Sequence, residues 1–113
     1  MSSLRNCTSG KLVAGRVSHA RTPWARALGY LPRRAVDADE GLWFAGCASI
    51  HTFGMRASID VVFVDREGTV VRVVARAARN RLVPGGPGAA HVLELGPGVA
   101  AEHVRIGDRL QLE

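Results

Sequence analysis

The most regular alternation in the chain begins at His51. The odd positions from there are His51, Phe53, Met55, Ala57, Ile59, Val61 and Phe63; the even ones are Thr52, Gly54, Arg56, Ser58 and Asp60. A two-residue period with one apolar face predicts extended chain. The pattern turns continuously apolar at Val61-Val62-Phe63-Val64, as expected of a strand covered on both sides. Asp65-Arg66-Glu67-Gly68 then predicts a type I turn with Gly in the left-handed position. The run TVVRVVARA that follows predicts the returning strand of a hairpin. A short strand is expected at residues 41–44 and another from Ile50, with Cys47 near the turn between them. Residues 41–65 are thus expected to supply the central strand pair and to line the pocket.

The flanking segments fill in the frame. Residues 1–10 are polar and aperiodic and read as a flexible N-terminus, ahead of one β-rich domain at 11–113. Residues 11–19 alternate as a half-buried strand, and Gly15 inside it predicts a bulge or a close backbone approach. Thr22-Pro23 predicts a helix start, with Thr as N-cap and Pro at the first helical position. Trp24 and Leu28 would share a face of that helix, extended by Ala27 and Leu31. Residues 33–40 are polar and read as a loop. Residues 76–90, rich in Pro and Gly after position 83, read as a second loop. His91 to Leu95 predicts a strand, Pro97 a short helix through His103, and Gly107-Asp108 a turn before a last strand. Six or seven short strands, one or two short helices and Gly-rich turns indicate a mainly β domain: a small antiparallel sandwich or barrel of jelly-roll kind.

Composition adds boundaries to this picture. A chain of 113 residues with 47% hydrophobic and 22% charged content fits one globular domain. No apolar run approaches the ~18 residues of a membrane span, so no membrane partner is expected. The first residues lack a continuous apolar stretch of the secretory type, and Cys7 and Cys47 do not form a disulfide framework; together these point to the cytoplasm. The formal charge is +5, and Lys11 is the one Lys among fifteen cations. Such a surface attracts anions in a salt-dependent way. The arginines are scattered and the aromatics few, so scattered solubilising charge is the first reading and nucleic acid the less favoured partner.

Several pieces carry a family likeness: GLWF, then SIHTFGMR, then IDVVFVDREGTVVRV, with VLELGPG and IGDRL near the end. In that order and spacing, residues 41–113 resemble the uncharacterised bacterial and archaeal proteins grouped as domain of unknown function 192. The resemblance implies a compact β-rich fold with one or two helices and no established activity. Members usually carry Pro where this chain has Ala57 or Ser58. Many also carry a secretory leader or lipid anchor, which is not expected here.

Three constellations can carry chemistry. Cys47, His51 and Met55 recur every four residues, and their soft donors suit copper. No fourth ligand is evident, and a Met on an apolar face is ordinarily filler, so neither a metal nor any cofactor is expected. His51, Arg56 and Asp60 form the second set. There a guanidinium can hold an anion bidentately, an imidazole can titrate near neutrality, and Trp43, Phe53 and Met55 would supply the apolar wall. The plainer reading of this set is an Arg56–Asp60 ion pair beside a core His. The third is a nucleophile–base dyad of Cys47 and His51. Arg72, Arg76, Arg79 and Arg81 form the densest basic stretch, read first as a solvated strand edge and second as an RNA-facing loop. Glu94, between Leu93 and Leu95, is expected to face away from them and to pair with an Arg, and Asp108 to serve its turn.

The function expected is a binding module. A pocket of Trp43, Cys47, His51, Phe53, Met55, Arg56 and Asp60 would take a small, anionic molecule. An enzyme using Cys47 or His51 is one alternative. A basic protein docking on RNA or an acidic partner through residues 72–81 is the other.

Overall fold

The computed structural model describes residues 2–22, 25–26, 29–31 and 33–113. Nine strands are described: β1 (Ser2–Asn6), β2 (Leu12–His19), β3 (Glu40–Phe44), β4 (Ser49–His51), β5 (Asp60–Val64), β6 (Val70–Val74), β7 (Leu82–Pro84), β8 (His91–Leu95) and β9 (Leu110–Leu112). A short helix, Val99–His103, lies between the last two. Seven strands form one sheet in the order β6-β5-β8-β3-β2-β1-β9, while β4 and β7 pair by themselves. The large sheet curls into a half-barrel. At one end its two edges meet: Thr69 bridges Arg109, and the Val70 N–H reaches the Asp108 carbonyl at 2.8 Å.

The mainly β expectation holds, with one refinement. β2 and β3 pair in parallel, Arg16 to Glu40 through His19 to Trp43. Parallel neighbours need a long crossover, and residues 20–39 supply it. Within it Thr22 caps as expected: its Oγ1 accepts the Ala25 N–H at 3.0 Å, and the Arg26 N–H reaches the Thr22 carbonyl at 3.0 Å. The expected pairing of Trp24 with Leu28, and Ala27 beside it, lie outside the described residues.

Alternation sorts the apolar side chains into two cores, one on each face of the sheet. Val62 and Val64 of β5 join Leu93 and Leu95 of β8 in the first, with Leu4, Val17, Val99 and Leu110. Val61 and Phe63 join Val92, Leu42 and Phe44 in the second, with Met55, Ile59 and Val83 from the loops and β7. The continuous run at β5 is therefore buried on both faces, as its pattern predicts. The hairpin to β6 also forms as expected. Gly68 has φ of 88°, and Asp65 Oδ1 accepts the Glu67 and Thr69 N–H groups at 2.9 Å each. Gly15 is a close approach: its N–H donates to Asp39 Oδ1 at 2.8 Å, and a Cβ there would stand 2.6 Å from that oxygen, so the Asp39 side chain would have to shift.

Four expectations are corrected. The alternation from His51 is not one strand. β4 ends at His51, the chain turns at Phe53-Gly54, and strand resumes only at Asp60. Gly54 (φ 76°) and Thr52, whose fully buried hydroxyl donates to the Ala78 carbonyl at 2.7 Å, fold the segment back on itself. Residues 41–65 do not pair with one another either, because β8 lies between β3 and β5. The segment 76–90 contains β7, aligned with β4 from Ser49–Pro84 to His51–Leu82. Finally, the first residues are not loose at Ser2–Asn6. β1 sits between β2 and β9, and Leu4 and Asn6 are both fully buried. Asn6 ties the closure together. Its Nδ2 donates to Asp108 Oδ2 and to the His103 carbonyl at 2.8 Å each, and its Oδ1 accepts the Thr8 N–H at 3.0 Å. Asp108 serves its turn as expected, accepting the Arg105 N–H at 2.9 Å.

Asp60 is a second polar anchor. It is fully buried, and its two oxygens accept the N–H groups of Arg76 and Ala100, each at 2.9 Å. It thereby ties the end of β6 and the helix at Val99–His103 to β5. Leaving two N–H groups short of acceptors costs ~1–3 kcal/mol each where they are buried. Asp60→Ala should therefore lower the unfolding free energy by roughly 2–4 kcal/mol in urea denaturation. A change within about 0.5 kcal/mol, typical of an exposed site, would contradict the role.

Candidate functional site

Two recesses invite attention, and their polar groups separate them. The larger is an open groove of about 690 Å³ between the β5–β6 turn and the start of β8, lined by Gly46, Asp65, Arg66, Glu67, Ala89 and His91 among others. Two of its polar groups are already engaged, and its charged side chains Arg66 and Glu67 are exposed on the turn. Asp65 closes its own turn, and His91 Nδ1 accepts the Gly46 N–H at 2.9 Å. The smaller cavity, about 100 Å³, lies over the second core and is lined by Arg26, Gly29, Phe44, Cys47, Ile50, His51 and Glu94 among others. It holds a buried acid.

That acid is Glu94. Alternation along β8 turns Leu93 and Leu95 to the first core and Glu94 to the second. It faces away from its leucines as expected, but away from one core means into the other. Its cross-strand partners are Leu42 and Val61, both apolar and buried. It is 5% exposed, and among the described residues no Arg pairs with it. Oε1 accepts the Tyr30 N–H at 3.2 Å. Burial pushes its carboxyl up to about 7, against the smaller downward pull of that hydrogen bond. Gly29 makes room for it: a Cβ there would stand 2.8 Å from Glu94 Oε1.

Arg26 and Cys47 complete the site. The Arg26 guanidinium donates to the Ala20 carbonyl at 3.3 Å and to Cys47 Sγ at 2.7 Å. It is held in the wall by the turn that Thr22 starts. His51, exposed at the end of β4, is at the margin, its ring 5.8 Å from that of Phe53. Among the described residues no hydrogen bond joins Cys47 to His51.

Of the seven residues expected to line one pocket, the structure brings together Cys47 and His51 alone. Trp43 belongs to the opposite face, packed on the first core with its ring 5.3 Å from that of His91. Phe53 is 55% exposed. Met55 is core, as the plainer reading had it. Arg56 is exposed, and the expected Arg56–Asp60 pair does not form because Asp60 is taken up by two backbone N–H groups. Arg26 and Glu94 were not among the expected residues. The break in alternation at Glu94, one acid in a five-residue apolar strand, was the available signal.

A family model described as "Uncharacterized ACR, COG1430", domain of unknown function 192, matches residues 4–112. The chain belongs to this family. No curated protein matches it. Among solved structures, this DUF192 chain is similar to a protein of unknown function from Novosphingobium aromaticivorans, at 24% identity and a TM-score of 0.84, over 98% of this chain and 84% of that one. It is similar to a protein named a "putative transcription regulator" from Sinorhizobium meliloti, at 25% identity and a TM-score of 0.82, over 98% and 91%. A "putative exported protein" from Burkholderia pseudomallei shares the fold more distantly. There the identity is 17% and the TM-score 0.51, over 99% of this chain and 24% of that one. Among the described residues of the DUF192 chain, no helix is long and apolar enough to cross a membrane.

The burial of Glu94 has a measurable consequence. Its carboxyl is raised in the folded state relative to the ordinary carboxylate value of 4.5, so the folded chain holds the extra proton between about pH 4.5 and 7. Stability therefore falls as pH rises through that window. At ~1.4 kcal/mol per pH unit the loss is on the order of 3 kcal/mol. Glu94→Gln should remove this slope and be more stable than the parent at pH 8 in urea denaturation; an unchanged slope would show that Glu94 is solvated.

Proposed function

We propose that this protein binds a small anionic ligand, or the carboxylate end of a larger one, in the cavity between Arg26 and Glu94. One observation carries the reading: a carboxyl only 5% exposed on a cavity floor, with apolar cross-strand neighbours and no cationic partner among the described residues. In its neutral form Glu94 can donate a hydrogen bond to an incoming oxygen. Arg26 in the wall supplies the compensating charge. The volume of about 100 Å³ equals roughly three waters, the size of an acetate-like group. The pH dependence follows. Above about 7 the floor ionises and repels an anion, so binding should weaken. The reading takes the protein as cytoplasmic, where the free Cys47 thiol beside Arg26 stays reduced.

Thermal-shift measurements with acetate, glycolate and inorganic phosphate test this. A ligand at about a hundred times its Kd stabilises by ~2.7 kcal/mol, which is several degrees for a domain of this size. The shift should appear at pH 6, shrink at pH 8 and vanish in Arg26→Ala. Glu94→Gln should keep the shift and lose its pH dependence. No shift with any of the three at pH 6, or an undiminished shift in Arg26→Ala, would refute the proposal.

A further inference from the structure

We propose that the lobe built by β4, β7 and their flanking loops is a docking surface for single-stranded nucleic acid. The side chains it rests on differ from those of the cavity except for His51, although β4 borders both. The lobe is held together from inside by Thr52. Its hydroxyl donates to the Ala78 carbonyl and accepts the Arg81 N–H at 2.9 Å, while its own carbonyl accepts the Asn80 N–H at 3.1 Å. Its outer surface carries what a soluble domain normally hides. Phe53 is 55% exposed and Leu82 68%. The His51 ring lies 26° from parallel with that of Phe53, so the two form a small stacked aromatic platform in solvent.

Positive charge surrounds this platform without compensation. Arg56, Arg76, Arg79 and Arg81 are exposed, and none makes an ion pair among the described residues. No Asp or Glu occurs from residue 70 to 93 or from 49 to 59. Of the three acids in between, Asp60 is fully buried and taken up by backbone N–H groups, and Asp65 and Glu67 belong to the β5–β6 turn, where Asp65 accepts the Glu67 and Thr69 N–H groups. The loop is also preset. Arg76 and Asn80 hold φ of 47° and 57°, a region L residues seldom adopt, and the Arg76 N–H is fixed by Asp60. Arg79 is steadied by donating to the Arg56 carbonyl at 3.1 Å.

The combination selects the partner. Exposed guanidiniums match phosphates, and an exposed aromatic stack matches unpaired bases, each base adding ~1–3 kcal/mol where stacking is good. Bases in a duplex are already stacked and out of reach of such a platform. An acidic peptide would use the arginines and leave the rings idle.

Fluorescence anisotropy with a labelled oligouridine of about twelve nucleotides, from about 50 to 200 mM salt, is the test. Binding should be measurable at low salt and several-fold weaker for a duplex of equal length. Phe53→Ala should weaken it several-fold and leave the salt slope unchanged. Arg56→Ala with Arg81→Ala should lower the slope of log affinity against log salt by about 1.4, at ~0.7 per lost phosphate contact. A control pair of exposed arginines away from the lobe, Arg66→Ala with Arg109→Ala, should leave the slope as it was. No binding at low salt would overturn the proposal, as would equal losses in the control pair. Tighter binding to the duplex, to polyglutamate or to phosphatidylserine vesicles would also overturn it. Thermal melts of each variant establish that it is folded.

Discussion

β8 lies between β3 and β5, with Leu93 and Leu95 turned to one core and Val92 and Glu94 to the other. Around Glu94 both neighbouring strands present apolar side chains, Leu42 and Trp43 on one and Val61 and Val62 on the other, so the acid has no wet side there. A carboxyl set there loses its water and gains one backbone N–H. That single placement explains the raised Glu94 carboxyl, its close approach to Gly29, and the cavity into which the acid looks. Burying an ionisable group without a partner is costly. Its presence at the floor of a cavity, and not in solid core, is what makes the site a candidate for binding.

Two polar anchors hold the frame around that strand. Asp60 joins β5 to the end of β6 and to the helix at Val99–His103. Asn6 joins the first strand to the last turn. Each satisfies backbone groups that a curled sheet would otherwise leave unpaired. The sheet's β6 edge is managed as well: Arg72 reaches across to the Pro84 carbonyl, which ties β7 to that edge.

Much of the fold was legible from local pattern. The β5–β6 hairpin was readable because turn chemistry and strand period agree over adjacent residues. The same holds for β8, the helix after Pro97 and the turn at Asp108. What failed depended on distant contacts. The alternation from His51 to Ile59 mimics a strand, yet Thr52 bonds to residues 78–81 and folds the segment into a turn. Ser2–Asn6 looks polar because Asn6 is spent on closure, not on solvent. The site was half legible for the same reason. Cys47 and His51 lie near one another in the chain, whereas Arg26 comes from the β2–β3 crossover and Glu94 from β8, which lies between β3 and β5. Arg56 and Asp60 share a face in an ideal strand, and there is no strand at Arg56 for them to share. The family match over residues 4–112 agrees with the likeness carried by residues 41–113 and extends it through the first strands.

The most direct test is a site-resolved NMR titration of the Glu94 side-chain carboxyl, with and without saturating acetate. Burial of Glu94 predicts a midpoint near 7 in the free protein. With acetate bound the midpoint should be higher, because an anion favours the protonated floor. A midpoint near the ordinary 4.5 would contradict this, and so would one that acetate leaves unmoved.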